Sequence, residues 1–504
     1  MTTDVLIVGA GSSGLVLAIE LARRGKNFRL IDRLSKPFDG SRGKGLQPRT
    51  LEIFHDLGVI DQIAEQASPY PPVRQYEGQV HRDVIAPSAP AVPGEPYPVS
   101  LMIPQWKTED ILRNRLHGLG GLAEFDTELV AIRTEDDGVV ATVRTSNGVE
   151  EIPCRYLVGA DGGRSTVRKL LGIDFPGEAR PFKMIVADLP VQGLSRDFWH
   201  RWKDAPGGQF ALCPLAGTSL FQLAAEVAPD AEPDVSADAL HELIRERTGR
   251  TDLMSGEPSW TSIYRVNFRL AESYRVGNAF IIGDAAHVHP PTGGQGLNTS
   301  VQDAFNLGWK LAAALGGAPT SLLDSYEEER RTIAADVLEM SAELLTAMTA
   351  RGDMHRGRNT LQLDLHYRAS PLSFDGRHLP GKIQAGDRAP DATVLDAQGK
   401  RRHLFDLFAH PGFSILSYGS GVDLGSLVGR PGIICFHVDD DMAMLTDDRG
   451  EVRERYGLEA PTLLLIRPDG YVAAAADRDR PQDIHEWLSR WTSALLPESE
   501  VTAQ

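Results

Sequence analysis

The stretch that decides the fold is D-V-L-I-V-G-A-G-S-S-G, residues 4–14. Its short β-branched run (4–8) leads directly into a glycine-rich turn, and an apolar-periodic helix follows from about Leu15 to Arg24. After that helix a second run, F-R-L-I (28–31), ends at Asp32. Because a strand, a tight turn, a helix and a second strand follow one another so closely, the sequence predicts a βαβ unit and a parallel sheet.

The glycines of this turn follow the G-x-G-x-x-G spacing of dinucleotide-binding proteins. Gly9 permits the tight turn, Gly11 lets the backbone approach a pyrophosphate, and Gly14 lets the helix pack against the strand. Asp32 is placed to accept hydrogen bonds from the unphosphorylated ribose of FAD or NAD, with a purely structural turn as the alternative. The first part of the predicted cofactor site comprises Gly9, Gly11, Ser13, Gly14, Asp32 and Arg33.

Two further glycine-flanked acidic residues follow predicted buried strands. Y-L-V-G-A (156–160) leads to Asp161, and A-F-I-I-G (279–283) leads to Asp284. Such positions suit binding at the carboxyl edge of a parallel sheet. The loop after Asp284 precedes a long helix, and the positive end of that helix would stabilise an anionic ring. Taken alone, each element is also compatible with an ordinary turn or a capped helix.

Together, these elements resemble the class A FAD-dependent aromatic hydroxylases, which are flavoprotein monooxygenases. The family's three motifs occur in order at residues 9–14, 159–168 and 283–298, and G-D-A-A-H-V-H-P-P-T-G-G-Q-G-L-N is the most specific of them. S-R-G (41–43) also looks like this family. R-P-D-G-Y-V-A (467–473) is similar to the thioredoxin-like C-terminal domain of the phenol, polyketide and rifampicin hydroxylase branch.

The resemblance implies how the chain would hold FAD. Arg42 would lie near the pyrophosphate, Gln105 and Asp284 at the ribityl chain, and the backbone amides of Leu297 and Asn298 at the pyrimidine edge of the flavin. Asp161 belongs to a motif that serves both FAD and NAD(P)H in this family. The other implied cofactor residues are Gly283, Pro291, Gly294 and Gly296.

The reaction is also an expectation from the resemblance. NAD(P)H would reduce the flavin, and a C4a-hydroperoxide formed with O2 would hydroxylate a phenolic or polycyclic aromatic substrate. The sequence identifies neither a catalytic base nor a metal site, and it favours structural roles for His287 and His289. Lys44 replaces an apolar residue that is common in this branch, and it would alter the mouth of the site.

Two alternatives remain open from the sequence. One is a flavin oxidoreductase of the same fold, acting as an epoxidase or dehydrogenase in natural-product tailoring or antibiotic inactivation. The other is a non-enzymatic FAD-binding protein that uses its C-terminal domain for docking.

The predicted fold class is α/β, with a Rossmann-like FAD-binding domain, an inserted α+β substrate-binding domain and a C-terminal thioredoxin-like domain. The predicted boundaries are 1–70, 101–180 and 276–350 for the first, 71–100 and 181–275 for the second, 351–384 for a linker or helical lid, and 385–504 for the third.

Composition limits the partners. The 504 residues include 52 Lys and Arg and 69 Asp and Glu, which gives a net charge of −17. This charge disfavours binding to nucleic acids and to anionic membranes. The three cysteines lie far apart and form no C-x-x-C pair. The apolar stretch from Val5 to Ala22 lacks the basic start of a signal peptide, so we expect a cytoplasmic protein. A homodimer is one assembly that the resemblance allows.

Overall fold

A computed structural model describes residues 3–78, 80–85, 92–203, 205–290, 292–351, 357–420, 424–439 and 444–492. Within these ranges the chain forms 28 strands and eleven α-helices, numbered here in chain order. Pro291, one of the residues implied in cofactor binding, lies outside the described ranges, as do residues 493–504.

The first sheet is built on the βαβ unit that the sequence predicts. Its strands are β1 (Thr3–Val8), β2 (Phe28–Ile31), β8 (Ala123–Glu124), β9 (Glu128–Glu135), β10 (Gly138–Thr145), β11 (Gly148–Gly159), β18 (Arg275–Val276) and β19 (Ala279–Ile281). β1 pairs in parallel with both β2 and β11, and β11 pairs in parallel with β19. The predicted parallel sheet is therefore confirmed, and β9, β10 and β11 extend it by antiparallel pairing.

Helices cover this sheet, and a small three-stranded sheet lies beside it. The helices are α1 (Ser12–Arg23), α2 (Pro48–Asp56), α3 (Ile60–Gln66), α4 (Gln105–Gly118), α5 (Thr166–Leu170), α7 (Gly296–Leu315) and α8 (Asp324–Arg351). The small sheet consists of β3 (Gly45–Leu46), β4 (Ser68–Pro69) and β7 (Leu101–Met102). α1 packs against α4 and α7. Its apolar residues from Leu15 to Ile19 are fully buried because helices surround it.

The second large sheet belongs to the predicted substrate domain. It contains β5 (Val73–Glu77), β6 (Val80–Val84), β12 (Gly177–Gln192), β13 (Trp199–Trp202), β14 (Phe210–Pro214), β15 (Leu220–Val227), β16 (Met254–Ser255), β17 (Trp260–Leu270) and β20 (His287–Val288). α6 (Ala237–Thr248) packs on its strand β16. Its long strands β12, β15 and β17 pair antiparallel, so one face forms its own core while the other faces the first domain.

The C-terminal part forms a third αβ unit. Its strands are β21 (Phe374–Asp375), β22 (Thr393–Asp396), β23 (Arg401–His403), β24 (Phe413–Tyr418), β25 (Ile433–Val438), β26 (Leu445–Thr446), β27 (Thr462–Ile466) and β28 (Val472–Asp477). Its helices are α9 (Leu404–Phe408), α10 (Glu451–Tyr456) and α11 (Pro481–Trp491). β24 pairs in parallel with β25 and antiparallel with β27. β21, which comes from the predicted linker, pairs with β28 at the edge of this sheet.

The third unit shares a core with the first domain. Trp309 and Ala313 of α7 belong to the same apolar cluster as Phe413 and Trp487. Among the described residues, no helix has the length and apolar character needed to cross a bilayer.

Candidate active site

One continuous cavity of about 1250 Å³ connects the first domain with the sheet of the second. It begins at the glycine turn, with Gly11 and Ser13, passes Asp284 and the start of α7, and reaches Phe210 on β14. Drug-sized ligands occupy pockets of roughly 300–1,000 Å³, so this cavity has room for more than one molecule. The sequence-predicted residues on its wall are Gly11, Ser13, Arg33, Arg42, Gln105, Asp161, Asp284, Gly294, Gly296 and Leu297.

Each glycine of the turn has a distinct steric role. Gly9 has a φ of +110°, and a Cβ there would lie 2.3 Å from the carbonyl oxygen of Ala160. A Cβ on Gly14 would lie 1.9 Å from the Gly9 oxygen, so α1 touches the turn at this point. A Cβ on Gly11 would meet only Glu109 Oε1, at 3.7 Å, and would otherwise enter the cavity. Gly11 therefore leaves space for a ligand, whereas Gly9 and Gly14 serve the fold.

A buried carboxylate, Glu109 on α4, ties the turn to the neighbouring loop. Its Oε1 accepts hydrogen bonds from the Ser12 backbone N–H at 3.1 Å and from the Ser12 hydroxyl at 2.9 Å. Gln105 donates to the same oxygen at 2.9 Å and accepts from the Gly43 backbone N–H at 2.9 Å. Burial raises the pKa of Glu109, and its Oε2 has no hydrogen-bond partner among the described residues. That oxygen is free for a polar group bound in the cavity.

Two predicted acidic residues, Asp32 and Asp161, accept hydrogen bonds from backbone N–H groups of the protein. Asp32 accepts from the Ala10 N–H at 2.8 Å and from the Leu34 N–H at 2.8 Å, and it does not line the cavity. Asp161 lies on the wall, where it accepts from the Thr166 N–H at the start of α5 at 2.6 Å. Both carboxylates shape the loops at the sheet edge, and their contact with cofactor remains a prediction.

Asp284 differs because its carboxylate makes no hydrogen bond within the described part of the chain. Its side chain is exposed to the cavity, and the walls of the cavity bury it on the other sides. This burial raises the pKa of its carboxyl group, against the attraction of His287 and Arg42. A free acceptor at the end of β19 suits the hydroxyl groups of a ribityl chain.

The start of α7 faces the same part of the cavity. No side chain caps this helix, and the first intrahelical acceptor is used by the Thr299 N–H, which donates to the Gln295 carbonyl at 2.9 Å. The amides of Gly296, Leu297 and Asn298 therefore have no partner within the helix, which makes its N-terminus a site for negative charge.

Asn298 and the two predicted loop glycines hold this helix start in place. The Asn298 amide donates to the carbonyl oxygens of Gly45 and Gly294, at 2.9 and 2.7 Å, and its oxygen accepts from the Gln47 N–H at 2.8 Å. Gly294 and Gly283 both have positive φ angles, of +65° and +59°. A Cβ on Gly283 would lie 2.8 Å from Ser300 Oγ, so this glycine allows α7 to approach β19.

Two arginine side chains, those of Arg168 and Arg42, lie in the wall of the cavity. Arg168 donates to the Ala285 carbonyl at 2.8 Å and thereby joins the loop after β11 to the loop after β19. Arg42 lines the cavity, with its guanidinium 5.6 Å from the Phe38 ring centre. Burial raises the pKa of the facing Tyr264 to about 12, while the charge of Arg42 acts in the opposite direction.

His287 and His289 form a chain that ends on a buried carboxylate. His287 Nε2 lies 2.6 Å from Asp303 Oδ2, and His289 Nε2 lies 2.8 Å from His287 Nδ1. Asp303 also accepts from Arg330 at 2.8 Å and from the Gly283 N–H at 3.0 Å. Burial alone would raise the pKa of Asp303, but His287 and Arg330 hold it below its ordinary value. The structural role expected for His287 fits this pairing, since the pair anchors α7 to the loop after β19.

The far wall of the cavity is apolar and aromatic. It includes Met184 and Val186 of β12, Trp199 of β13, Phe210 of β14 and Ala224 of β15. Residues 71–100 and 181–275 are the segments that the sequence assigns to substrate binding. Of four aromatic residues there, Phe210 lines the cavity, whereas Phe182, Phe221 and Trp260 do not. Phe221 belongs to the core of this domain, and Trp260 packs over Gly40.

These features fit FAD. The space above Gly11 admits a pyrophosphate, the free Asp284 carboxylate admits ribityl hydroxyls, and the uncapped α7 start admits the electron-rich edge of a flavin. Residues 2–341 match the family described as FAD binding domain, and residues 382–494 match the family described as aromatic-ring hydroxylase, C-terminal. The chain belongs to the FAD-dependent aromatic-ring hydroxylases.

Relatives of this family match the whole chain. A flavin-dependent monooxygenase of Mycobacteroides abscessus is 41% identical over 497 residues, covering 96% of this chain and 99% of the relative. A rifampicin monooxygenase of Streptomyces venezuelae is 36% identical, with 97% of each chain covered. Among solved structures, aklavinone-11 hydroxylase with FAD and aklavinone has a TM-score of 0.83 at 29% identity, covering 97% of this chain and 99% of its own. The protein is thus an FAD-dependent monooxygenase.

Sequence reasoning missed several residues of this hydroxylase's cavity. Glu109 was not among the predicted cofactor residues, although it lines the cavity and its buried Oε2 has no partner among the described residues. Trp199 and Gln222 also line the cavity, and the alternation of their strands does not show which face meets the first domain. Arg201, Arg265 and Arg269 also line the cavity, although local sequence gives no reason to place them there.

Proposed function

We propose that this hydroxylase uses FAD and NAD(P)H to hydroxylate a phenolic or polycyclic aromatic substrate, by the C4a-hydroperoxyflavin route expected from the sequence. The observation that carries the proposal is the single cavity that joins the dinucleotide turn to the apolar sheet face. A cofactor at one end and a flat aromatic molecule at the other would meet beside the start of α7.

Bound FAD, reduced by NAD(P)H, would activate O2 so that one oxygen atom enters the substrate and the other leaves as water. The residues that would hold it are Gly11 at the pyrophosphate, Asp284 at the ribityl chain, and the amides of Leu297 and Asn298 at the flavin ring. The α7 N-terminus would stabilise the negative charge that a flavin gains on reduction.

The substrate end serves to hold an aromatic ring and to keep water away. Trp199 places an aromatic side chain beside the substrate end, while Met184 and Val186 exclude solvent from the reacting face. Relatives act, by name, on rifampicin, on anhydrotetracycline and on pentachlorophenol. These names support a phenolic or polycyclic substrate for this chain.

NAD(P)H would approach from the mouth of the cavity. Cationic side chains line the cavity, and they would attract a dinucleotide in spite of the net negative charge of the protein. They include Arg33, Arg164, Lys169, Lys203 and Arg265.

The test is a screen of the FAD-loaded enzyme with NADH or NADPH against phenols and aromatic polyketides. We expect oxidation of the nicotinamide to depend on the aromatic compound, and the product to gain one oxygen atom that comes from labelled O2. Aromatic-dependent oxidation with no labelled oxygen in the product would favour the dehydrogenase alternative. Light scattering on the same preparation tests the homodimer, which remains a prediction.

A further inference from the structure

Lys44 places an unpaired positive charge in the wall of the cavity. Its ammonium group lies 4.6 Å from the centre of the Trp199 ring and donates a hydrogen bond to Gln222 Oε1. The side chain is half-buried, and it forms no ion pair with any carboxylate in the described part of the chain. An ammonium has three donors, so two remain available to a bound molecule.

Both domains hold Lys44 in this position. Its carbonyl oxygen accepts from the Ile103 N–H at 2.8 Å, just before the β3–β7 pairing begins. On the side of the substrate domain, the Gln222 amide also donates to the Ser41 carbonyl, which fixes the acceptor of the Lys44 ammonium. Contacts from both domains therefore position this charge.

The positive charge of the ammonium has no negative charge within ion-pair distance among the described residues. Met184, Val186 and Ala224 line the same wall, and a charge beside apolar groups is costly unless an opposite charge meets it. Asp188 attracts Lys44 through space but lies beyond ion-pair distance, and both of its oxygens are buried without a hydrogen-bond partner among the described residues. A ligand anion in the cavity would complete the pair.

We infer that Lys44, with Gln222 and Trp199, forms a subsite for an acidic group on the aromatic substrate, a phenolate, enolate or carboxylate. Lys44, Gln222 and Trp199 all line the cavity, and Tyr70 stacks on Trp199 at a centre-to-centre distance of 6.2 Å and so holds this wall in place. The inference rests on the proposed function, because it names the class of substrate that the monooxygenase accepts.

The experiment compares two probes of one shape, a hydroxynaphthoate and the matching hydroxynaphthamide, by titration of the FAD-loaded enzyme while its flavin absorbance is recorded. The wild type is expected to bind the carboxylate about tenfold tighter than the amide, the size of one charge-assisted hydrogen bond. Lys44→Met keeps the length of the side chain and should abolish the preference. Lys44→Arg should keep it. FAD content and melting temperature show that each variant is folded.

Asp188→Asn is the control for the neighbouring charge. It should preserve or increase the preference for the carboxylate, because the subsite loses its competing negative group. Equal binding of both probes to the wild type, including no binding of either, would overturn the inference. So would a preference that survives in Lys44→Met, or a Lys44→Met effect confined to the KM for NAD(P)H.

The same measurements separate this inference from the proposed function. The enzyme could show a carboxylate preference that depends on Lys44 and yet form no oxygenated product from any aromatic compound. That result would support the subsite and refute the proposed hydroxylation. Oxygenated products from an enzyme that binds the carboxylate and the amide equally well would support the proposed hydroxylation and refute the subsite.

Discussion

Glu329 of α8 and Arg467 of the C-terminal unit form a buried two-point ion pair, with N–O distances of 2.6 and 2.9 Å. Each side chain is only 1% exposed. Lys310 of α7 donates to Glu329 at 2.8 Å, and Asp469 accepts from Trp309 at 3.0 Å. Burial by itself would raise the pKa of Glu329, but Arg467 and Lys310 hold it well below its ordinary range. The C-terminal unit is thereby joined to α7, the helix whose first residues line the cavity.

Arg467→Met should lower the free energy of unfolding by about 3–5 kcal/mol, because it leaves Glu329 and Asp469 buried beside fewer positive charges. Denaturant unfolding followed by tryptophan fluorescence measures the loss. Adding Glu329→Gln to the same chain should recover part of it, since the remaining charge is removed. A change within the experimental error for Arg467→Met would contradict the role of this ion pair.

Gly11→Ala and Gly14→Ala should have opposite consequences. The backbone of Gly11 is extended, with φ −78°, so alanine fits the fold, but its methyl group would enter the pyrophosphate space. We expect a loss of FAD affinity of about tenfold or more and little change in the unfolding of the apoprotein. Gly14→Ala should instead destabilise the apoprotein by about 1–3 kcal/mol, through contact with the Gly9 oxygen. Equal effects of both variants on FAD affinity and stability would refute this division.

Asp284→Ala should weaken FAD retention, because the ribityl chain loses a buried acceptor. A loss of about 1–2 kcal/mol corresponds to about a 5- to 30-fold higher dissociation constant. The ratio of flavin to protein absorbance after dialysis measures it. Asp284→Asn keeps one acceptor oxygen and should lose less. Full retention of flavin by Asp284→Ala would show that the carboxylate does not contact the cofactor.

Asp188 gives a prediction about pH. Burial raises the pKa of its carboxyl to about 6, although Ser41 and Lys44 oppose the shift. Because the folded pKa lies above the unfolded value of about 4, the neutral form stabilises the fold below pH 4, and this contribution is lost as the pH rises through 6. Asp188→Asn should therefore be more stable than the wild type at pH 8, by about 1–3 kcal/mol, and not at pH 4. Chemical unfolding at both pH values measures the difference. An equal stability difference between the variant and the wild type at pH 4 and pH 8 would show that the pKa of Asp188 is not raised.

The local elements were predictable because their signals lie within a few residues. Short apolar runs predict strands at 28–31, 413–418 and 462–466, and all three agree with the structure residue by residue. Helical patterns predict two further helices at 107–118 and 320–350, and prolines explain how the structure differs there. The first helix begins at Gln105 after Pro104, and the second opens with a 3₁₀ turn after Pro319 before α8 begins at Asp324.

Some side chains of the family motifs contact the C-terminal unit and not the cavity. The segment Q-P-R-T-L-E (47–52) resembles the family's segment after the second strand, yet Arg49 donates to the Asp469 carbonyl at 2.7 Å and Glu52 accepts from Arg388 at 2.9 Å. Both contacts lie in the C-terminal unit, so this segment joins domains. The position of a motif in the chain did not reveal the direction in which its side chains point.

The sequence by itself determined the glycine turn, the acidic residues at the ends of β11 and β19, and the helix that follows the flavin loop. Each of these depends on backbone geometry within one short segment, where residue type and spacing act directly. Only the tertiary structure decided that Glu109 faces Ser12, that Lys44 lies over Trp199, and that Asp188 is buried without a partner. These contacts join segments far apart in the chain, and their energies depend on burial, which exists only once the domains have packed together.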